Sequence, residues 1–160
     1  MRGRIKSRGC PIPLLLLLIL LVGMMVHSSL AKDQDQVDLS AYQWKSRLLV
    51  LFSLSEDDPV YQSFKEQLQG RTQEVHDRDL LTFHVFETGE SRMAHLQLNE
   101  GQVLFLRKKF SIMPGQRVVI LIGKDGGVKF RGELPVELSD IFSIIDAMPM
   151  RQREMRERSK

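Results

Sequence analysis

Apolar residues along the chain follow two patterns, one typical of buried strands and one typical of helices. Residues 47–54, RLLVLFSL, and 80–86, LLTFHVF, are apolar on both faces of an extended chain, the pattern typical of strands inside a sheet. Residues 59–70, between them, place apolar side chains at spacings of three and four, which predicts a helix. A strand, a crossing helix and a second strand predict a right-handed parallel βαβ unit.

The following stretch predicts a helix and an antiparallel hairpin. A helix is expected over residues 100–110, where Asn99 and Gln102 have the spacing of a capping box. Residues 117–122, RVVILI, predict a third strand, and 128–131 a short fourth. KDGG at 124–127 joins them as a tight turn, because Asp-Gly and Gly-Gly tolerate positive φ.

Two helices are predicted at the C-terminal end. Residues 135–148 are amphipathic, with one apolar stripe formed by Leu138, Ile141, Phe142, Ile145 and Met148. Pro149 disfavours helical backbone in the residue ahead of it and can itself begin the charged helix predicted over 149–160.

This order of elements predicts an α/β domain over residues 39–148. Its sheet is expected to be mixed and four-stranded, a parallel βαβ unit plus an antiparallel hairpin, with helices on both faces. The layout resembles the thioredoxin-like fold. Residues 32–38 are polar without periodicity and predict a flexible lead-in. The only tryptophan, Trp44, is interpreted as a packing anchor.

Residues 1–31 have the pattern of a cleaved signal peptide. They combine a basic start, an apolar stretch of 13 residues and a small-residue end: Arg2, Arg4, Lys6 and Arg8, then Leu14–Val26, then Ser29-Leu30-Ala31. The apolar stretch is shorter than the roughly 20 residues of a spanning helix, so cleavage is favoured over an uncleaved anchor. We expect export to the periplasm or the extracellular space, with no stable membrane span after cleavage.

Removing this segment changes the charge and the chemistry of the chain. The whole sequence has 23 Lys and Arg against 20 Asp and Glu, but four of the basic residues lie in the segment, which leaves 19 against 20. The basicity therefore does not indicate nucleic-acid binding. The only cysteine, Cys10, also lies there. The remaining chain has no thiol, which excludes disulfide oxidoreductase and thiol peroxidase chemistry.

Three segments resemble one known family. YQWKSRLLVLF (42–52), LIGKDGGVKFR (121–131) and IDAMPMRQREM (145–155) are similar to the family titled domain of unknown function 4174. That family occurs in small exported bacterial proteins, with related domains in animal extracellular proteins that carry sushi repeats. The resemblance implies a fold similar to those of thioredoxins and peroxiredoxins, and it brings no established activity.

The resemblance also places the positions of a thioredoxin active site. Phe52 would end the first strand, and Asp57-Asp58-Pro59-Val60 would stand where thioredoxins have Cys-Gly-Pro-Cys. Both thiol positions are thus occupied by other residues. Pro114 is the nearest candidate for the cis-proline that faces such a site.

The acidic corner SEDDPVY, residues 55–61, is explained by a helix start. Asp58 is expected to be the N-cap and Pro59 the first helical residue. A carboxylate there is held ionised and is a poor general acid, and the loop is expected to be solvated. A cation or partner contact through Asp57 and Asp58 stays open as an alternative, with catalysis as a third.

The histidines and arginines give weaker signals. His76, His84 and His95 share no metal-ligand spacing, although convergence in space stays open, and His84 is interpreted as a hydrogen-bonded sheet histidine. Arg151, Arg153 and Arg156 could contact an acidic partner; the alternative is a solvated helix with pairs between Arg153 and Glu157 and between Glu154 and Arg158. No catalytic, cofactor-binding or metal residue is assigned.

Three functional hypotheses follow. The first is an exported, redox-inactive thioredoxin-like domain that binds an unknown protein or peptide, as a monomer or weak oligomer. The second is a metal-dependent or carboxylate-based enzyme that uses the acidic loop after the first strand. The third is a structural component of the cell envelope.

Overall fold

The structure is a computed structural model that describes residues 35–158. The predicted signal peptide and its Cys10 lie outside the described residues, as do the first three residues of the predicted lead-in. Within the described range, no helix is both long enough and apolar enough to cross a membrane.

The sheet has six strands rather than the predicted four. They are β1 (Arg47–Ser53), β2 (Leu80–Phe86), β3 (Arg92–Met93), β4 (Leu96–Gln97), β5 (Val118–Ile122) and β6 (Val128–Glu133), arranged in the order β4-β3-β2-β1-β5-β6. β1 and β2 are parallel and all other neighbours are antiparallel, which confirms the mixed sheet. β3 and β4 escape prediction because two residues are too few to show an alternating pattern.

Among residues 35–158, a 3₁₀-helix, Leu39–Tyr42, precedes β1, and five α-helices connect or follow the strands. They are α1 (Pro59–Gly70), α2 (Thr72–Asp77), α3 (Glu100–Lys109), α4 (Leu138–Asp146) and α5 (Pro149–Arg158). α4 begins three residues later than predicted because Glu137 is still extended, with ψ 136°. α2 was not predicted, and it starts after Arg71 departs from helical geometry with φ −128°.

The core consists of one apolar layer on each face of the sheet. Alternate residues of β1 point to opposite faces, so Leu49 and Leu51 enter one layer and Leu48 and Val50 enter the other. The first layer contains the apolar sides of α1 and α4, and the second that of α3. Helices therefore cover both faces, as predicted, and every residue of β1 is buried.

Two local sequence signals form as expected. The Asn99 side chain accepts the amide of Gln102 at 2.8 Å, and the Gln102 side chain accepts the amide of Asn99 at 3.0 Å, which completes the capping box. In the hairpin turn, Gly126 has φ +80°, and its amide donates to the Gly123 carbonyl at 2.9 Å. A positive φ of this kind is what the glycines were expected to supply.

Trp44 is not the packing anchor that the sequence suggested. Its side chain is 67 % exposed and its backbone is left-handed, with φ 63°. Tyr42 has the anchoring role instead: its ring meets Phe83 edge-on at 5.8 Å, and its hydroxyl donates to the sulfur of Met93. The ordered core also begins before residue 39, since Val37 is buried.

α5 is held to the sheet by a buried ion pair. Arg47, which starts β1, is 1 % exposed, and its two terminal nitrogens donate to the two carboxylate oxygens of Glu154 at 3.1 and 3.2 Å. Lys124, after β5, donates to the same carboxylate at 2.8 Å. The predicted pairing of Glu154 with Arg158 is therefore wrong; Arg158 pairs with Asp77 and Asp79.

We predict that Glu154→Ala lowers the free energy of unfolding by about 3–5 kcal/mol, because it leaves Arg47 charged and buried without its carboxylate. Glu157→Ala is the matched control. Glu157 lies on the same helix and is exposed, so its loss should change stability by about 0.5 kcal/mol or less. Urea unfolding of both variants checks the difference, and equal stabilities would rule out a structural role for the pair.

Candidate functional site

Asp58 forms the N-cap of α1, as predicted, and also bonds to the sheet. Its Oδ1 accepts the amide of Val60 at 3.1 Å, and its Oδ2 accepts Ser53 Oγ at 2.8 Å and Arg117 Nε at 2.6 Å. The residue is only 4 % exposed. The expectation of a solvated loop is therefore wrong for Asp58, because the preceding strand and Arg117 enclose the carboxylate.

The two aspartates of the acidic corner differ in their surroundings. Burial acts to raise the pKa of Asp58, but the bonds from Ser53, Arg117 and the Val60 amide together hold that pKa below its usual value. The carboxylate is thus ionised near neutral pH and has no proton to donate. Asp57, one residue earlier, is exposed and has no hydrogen bond or ion pair within the described part of the chain.

A polar groove opens beside this corner. It has a volume of about 510 Å³ and lies between the helices α1 and α2 and the strands β2 and β3. Its lining is Tyr61, Lys65, Leu68, Gln69, Thr72, Val75, Thr82, His84, Arg92 and Ala94. The sheet beyond β2 consists only of the two-residue strands β3 and β4.

A hydrogen-bonded chain of side chains forms part of the groove lining. The Tyr61 hydroxyl is 3.0 Å from His84 Nδ1, and His84 Nε2 is 3.2 Å from Thr82 Oγ1. This confirms His84 as a hydrogen-bonded sheet histidine. Burial lowers the pKa of His84 to about 4, and burial raises the pKa of Tyr61 to about 12. Both side chains are therefore neutral at pH 7.

Glu56 bonds the two cations of the groove. Its Oε1 accepts Lys65 Nζ at 3.0 Å and also accepts Arg92 Nη2. The bond from Lys65, and next that from Arg92, lowers the pKa of Glu56. The groove thus combines a neutral hydrogen-bonding pair with two fixed cations, an arrangement suited to holding a polar ligand.

Two possibilities for active-site chemistry that the sequence left open find no support in the geometry. Among residues 35–158, no three or more His, Cys, Asp or Glu side chains are grouped as metal ligands, and His76 and His95 do not join His84. The one cis peptide bond in the same range is Leu134–Pro135, so assigning the cis-proline to Pro114 is wrong.

The arginines of α5 differ in their surroundings. Arg151 is 2 % exposed and bonds Asp77 and Asp146 within its own chain. Arg153 and Arg156 are exposed, and the described residues offer neither of them a hydrogen bond or an ion pair. These two, together with Asp57, are the candidate positions that keep free charge for an outside contact.

The family match covers most of the chain. The family described as Domain of unknown function (DUF4174) matches residues 38–154. The chain belongs to this family.

One curated protein and two solved structures are similar to this DUF4174 chain. Coiled-coil domain-containing protein 80 of Danio rerio is 25% identical over 136 residues, or 73% of this chain, which spans 15% of that protein's length. The reduced 2-Cys peroxiredoxin of Plasmodium vivax superposes with a TM-score of 0.57 and 17% identity over 73% of this chain and 85% of its own. For thioredoxin peroxidase I of Plasmodium yoelii, the TM-score is 0.54, with 15% identity over 73% and 80% of the two chains.

These likenesses confirm the predicted thioredoxin-like fold of the DUF4174 chain. At such identities, they show the fold alone. The relationship to sushi-repeat proteins stays a prediction.

We predict that Asp58→Ala destabilises the DUF4174 domain by about 2–4 kcal/mol, because it removes the helix cap and leaves Arg117 and Ser53 without their acceptor. Asp58→Asn, which can still accept the Val60 amide, should cost less. Asp57→Ala is the matched control and should stay within about 0.5 kcal/mol of the original protein. Chemical unfolding measures all three, and an Asp58→Ala variant as stable as Asp57→Ala would contradict the assignment.

We predict a loss of stability on acidification that depends on His84. In the unfolded chain His84 takes up a proton near pH 6.5, whereas in the folded chain it does so only near pH 4. The unfolded state therefore binds more protons between these values, and stability falls as pH falls, by up to about 3 kcal/mol from this residue. His84→Asn should show a shallower decrease between pH 6.5 and 4 in urea unfolding. An unchanged pH profile would argue against a buried neutral histidine.

Proposed function

We propose that this chain is an exported domain that binds a protein or peptide and carries out no thiol chemistry. Export is supported by the pattern of residues 1–31, and the absence of thiol chemistry by Cys10 being the only cysteine. The thioredoxin-like fold supplies the scaffold. In this proposal, the scaffold serves recognition.

The observation that carries the proposal is the bonding of Asp58. This residue stands in the segment where the resemblance places a thiol motif, yet its carboxylate is buried against Ser53 and Arg117. A group that caps a helix and neutralises an arginine has a structural task. The corner therefore fixes α1 onto the sheet and leaves the neighbouring groove as the accessible polar surface.

The groove has features suited to an extended peptide. It is lined by residues of β2 and β3, and the exposed side chains of Gln69 and Thr72 offer neutral hydrogen-bonding groups, while the bonded pair of Tyr61 and His84 forms its base. Lys65 and Arg92 add positive charge that Glu56 holds in place. Neutral groups can bond the peptide backbone, and fixed cations favour an acidic residue in the bound segment.

The enzyme hypothesis gains no support from the geometry. A reaction at the acidic corner would require Asp58 to leave Arg117, and the carboxylate is held in the form that cannot act as an acid near neutral pH. The two ring nitrogens of His84 bond Tyr61 and Thr82 in the groove, so this histidine is not hydrogen-bonded to Asp58.

The binding proposal can be tested with peptides selected by display on the protein secreted from its full-length gene. Gln69→Trp fills the groove from α1, and we expect it to weaken binding of the selected peptides about tenfold or more. Ser63→Trp is the matched control on the exposed side of the same helix and should change the dissociation constant less than about twofold. If display yields no binding peptide, or if both variants bind equally well, the groove is not the site.

The secreted protein should also leave insulin disulfides intact and consume no peroxide. Reductase or peroxidase activity in that preparation would refute the proposed absence of thiol chemistry.

A further inference from the structure

A second cavity lies where the β5–β6 hairpin meets the junction of α4 and α5. It has a volume of about 560 Å³, and its lining is Arg47, Gly123, Lys124, Asp125, Lys129, Ile144, Ala147, Met148, Pro149, Met150 and Arg153. Each of the segments 42–52, 121–131 and 145–155, on which the family resemblance rests, contributes to this lining. The cavity thus joins three parts of the chain that are far apart in sequence.

One wall of the cavity is apolar. Ile144, Met148 and Met150 are half-buried there, beside the exposed Ala147 and Pro149. Unbranched methionine side chains adapt to ligands of different shape more readily than branched residues do. This wall suits a hydrocarbon group of several carbon atoms.

The cavity lining carries an excess of positive charge. Four basic side chains line the cavity, against the single acid Asp125. Lys129 pairs with Asp125 at 2.6 Å, and Lys124 pairs with Asp79 and Glu154 at 2.8 Å each. Arg153 is the lining cation without a hydrogen bond or ion pair inside the described range.

Arg47 adds a buried donor without a partner. Its terminal nitrogens bond Glu154 and the Arg78 carbonyl, but its buried Nε has no hydrogen-bond acceptor. Because this Nε is closed to solvent, Arg47 contributes positive charge to the lining, and the exposed Arg153 is the cation that a ligand can contact.

We propose that this cavity binds an apolar group that carries one carboxylate. The ligand is either a free medium-chain carboxylic acid or the apolar C-terminal residue of a peptide. Its carboxylate pairs with Arg153, whose planar guanidinium matches the two carboxylate oxygens, and its hydrocarbon part packs on Met148 and Met150. None of the groove residues takes part, so failure of this site leaves the peptide-groove proposal intact, and the reverse also holds.

Methyl NMR of the protein expressed from its full-length sequence tests the site. The probes are sodium octanoate for a free acid and N-acetyl-leucine for a peptide C-terminus, with octanol and N-acetyl-leucinamide as their neutral counterparts. We expect at least one of the two acids to shift the Met148 and Met150 methyl signals saturably and to leave those of Met93 and Met113, outside the cavity, in place. Whichever acid binds more tightly identifies the source of the carboxylate.

Charge reversal separates a specific site from general attraction. Arg153→Glu should weaken binding of the effective acid about tenfold or more, the loss expected for a charge-assisted bond. Arg156→Glu is the matched control, since Arg156 is an exposed and unpaired arginine on the same helix outside the cavity lining, and it should change affinity less than about twofold. The proposal is overturned if neither acid binds below about 10 mM, if the neutral counterparts bind equally well, or if both variants weaken binding alike.

Discussion

The fold depends on one buried ion pair, in which the cation Arg47 requires the carboxylate of Glu154. Arg47 opens the central strand and is almost fully removed from solvent, where an unpaired charge would cost several kcal/mol. Glu154 supplies the counter-charge from the last helix and receives Lys124 as well. Burial acts to raise the pKa of Glu154, but Lys124 and Arg47 hold it below its usual value, so the carboxylate stays charged. α5 is consequently part of the domain.

Fixing α5 has consequences for the surface of the molecule. The helix brings Met150 and Arg153 to the cavity beside the β5–β6 hairpin, so that apolar and basic side chains line it together. The contacts of Arg151 with Asp77 and Asp146 strengthen the same attachment one turn earlier on the helix. This arginine-rich helix has the composition of a solvated tail, yet its position depends on oppositely charged residues elsewhere in the chain.

The acidic corner follows the same physical principle at the opposite end of β1. Asp58 caps α1 and bonds Arg117 and Ser53, so that helix and sheet are joined by charge-assisted hydrogen bonds. In the two peroxiredoxins with a similar fold, the names indicate thiol-based peroxide chemistry. In this DUF4174 chain, Asp58 performs a structural task, and a groove with polar side chains lies beside it.

Sequence patterns predicted those features that depend on neighbouring residues. The buried strand β1, the cap of α1 by Asp58, the capping box of α3 and the hairpin turn all follow from spacings of a few residues. The features that were missed depend on partners far along the chain. Arg47 and Glu154 are 107 residues apart, and Tyr61 and His84 are 23 apart, so neither pair leaves a periodic signal. Trp44 was misassigned because size and apolarity do not specify which of two nearby aromatic residues faces the core.

Backbone hydrogen exchange in α5 tests most directly whether the buried Arg47–Glu154 pair makes this helix part of the fold. Helices that merely dock on a surface open locally and exchange quickly, whereas helices bound by buried contacts open only with the core. The account predicts that the central amides of α5 are protected to nearly the same degree as those of β1. Exchange in α5 at rates close to those of an unfolded chain, while β1 stays protected, would contradict it.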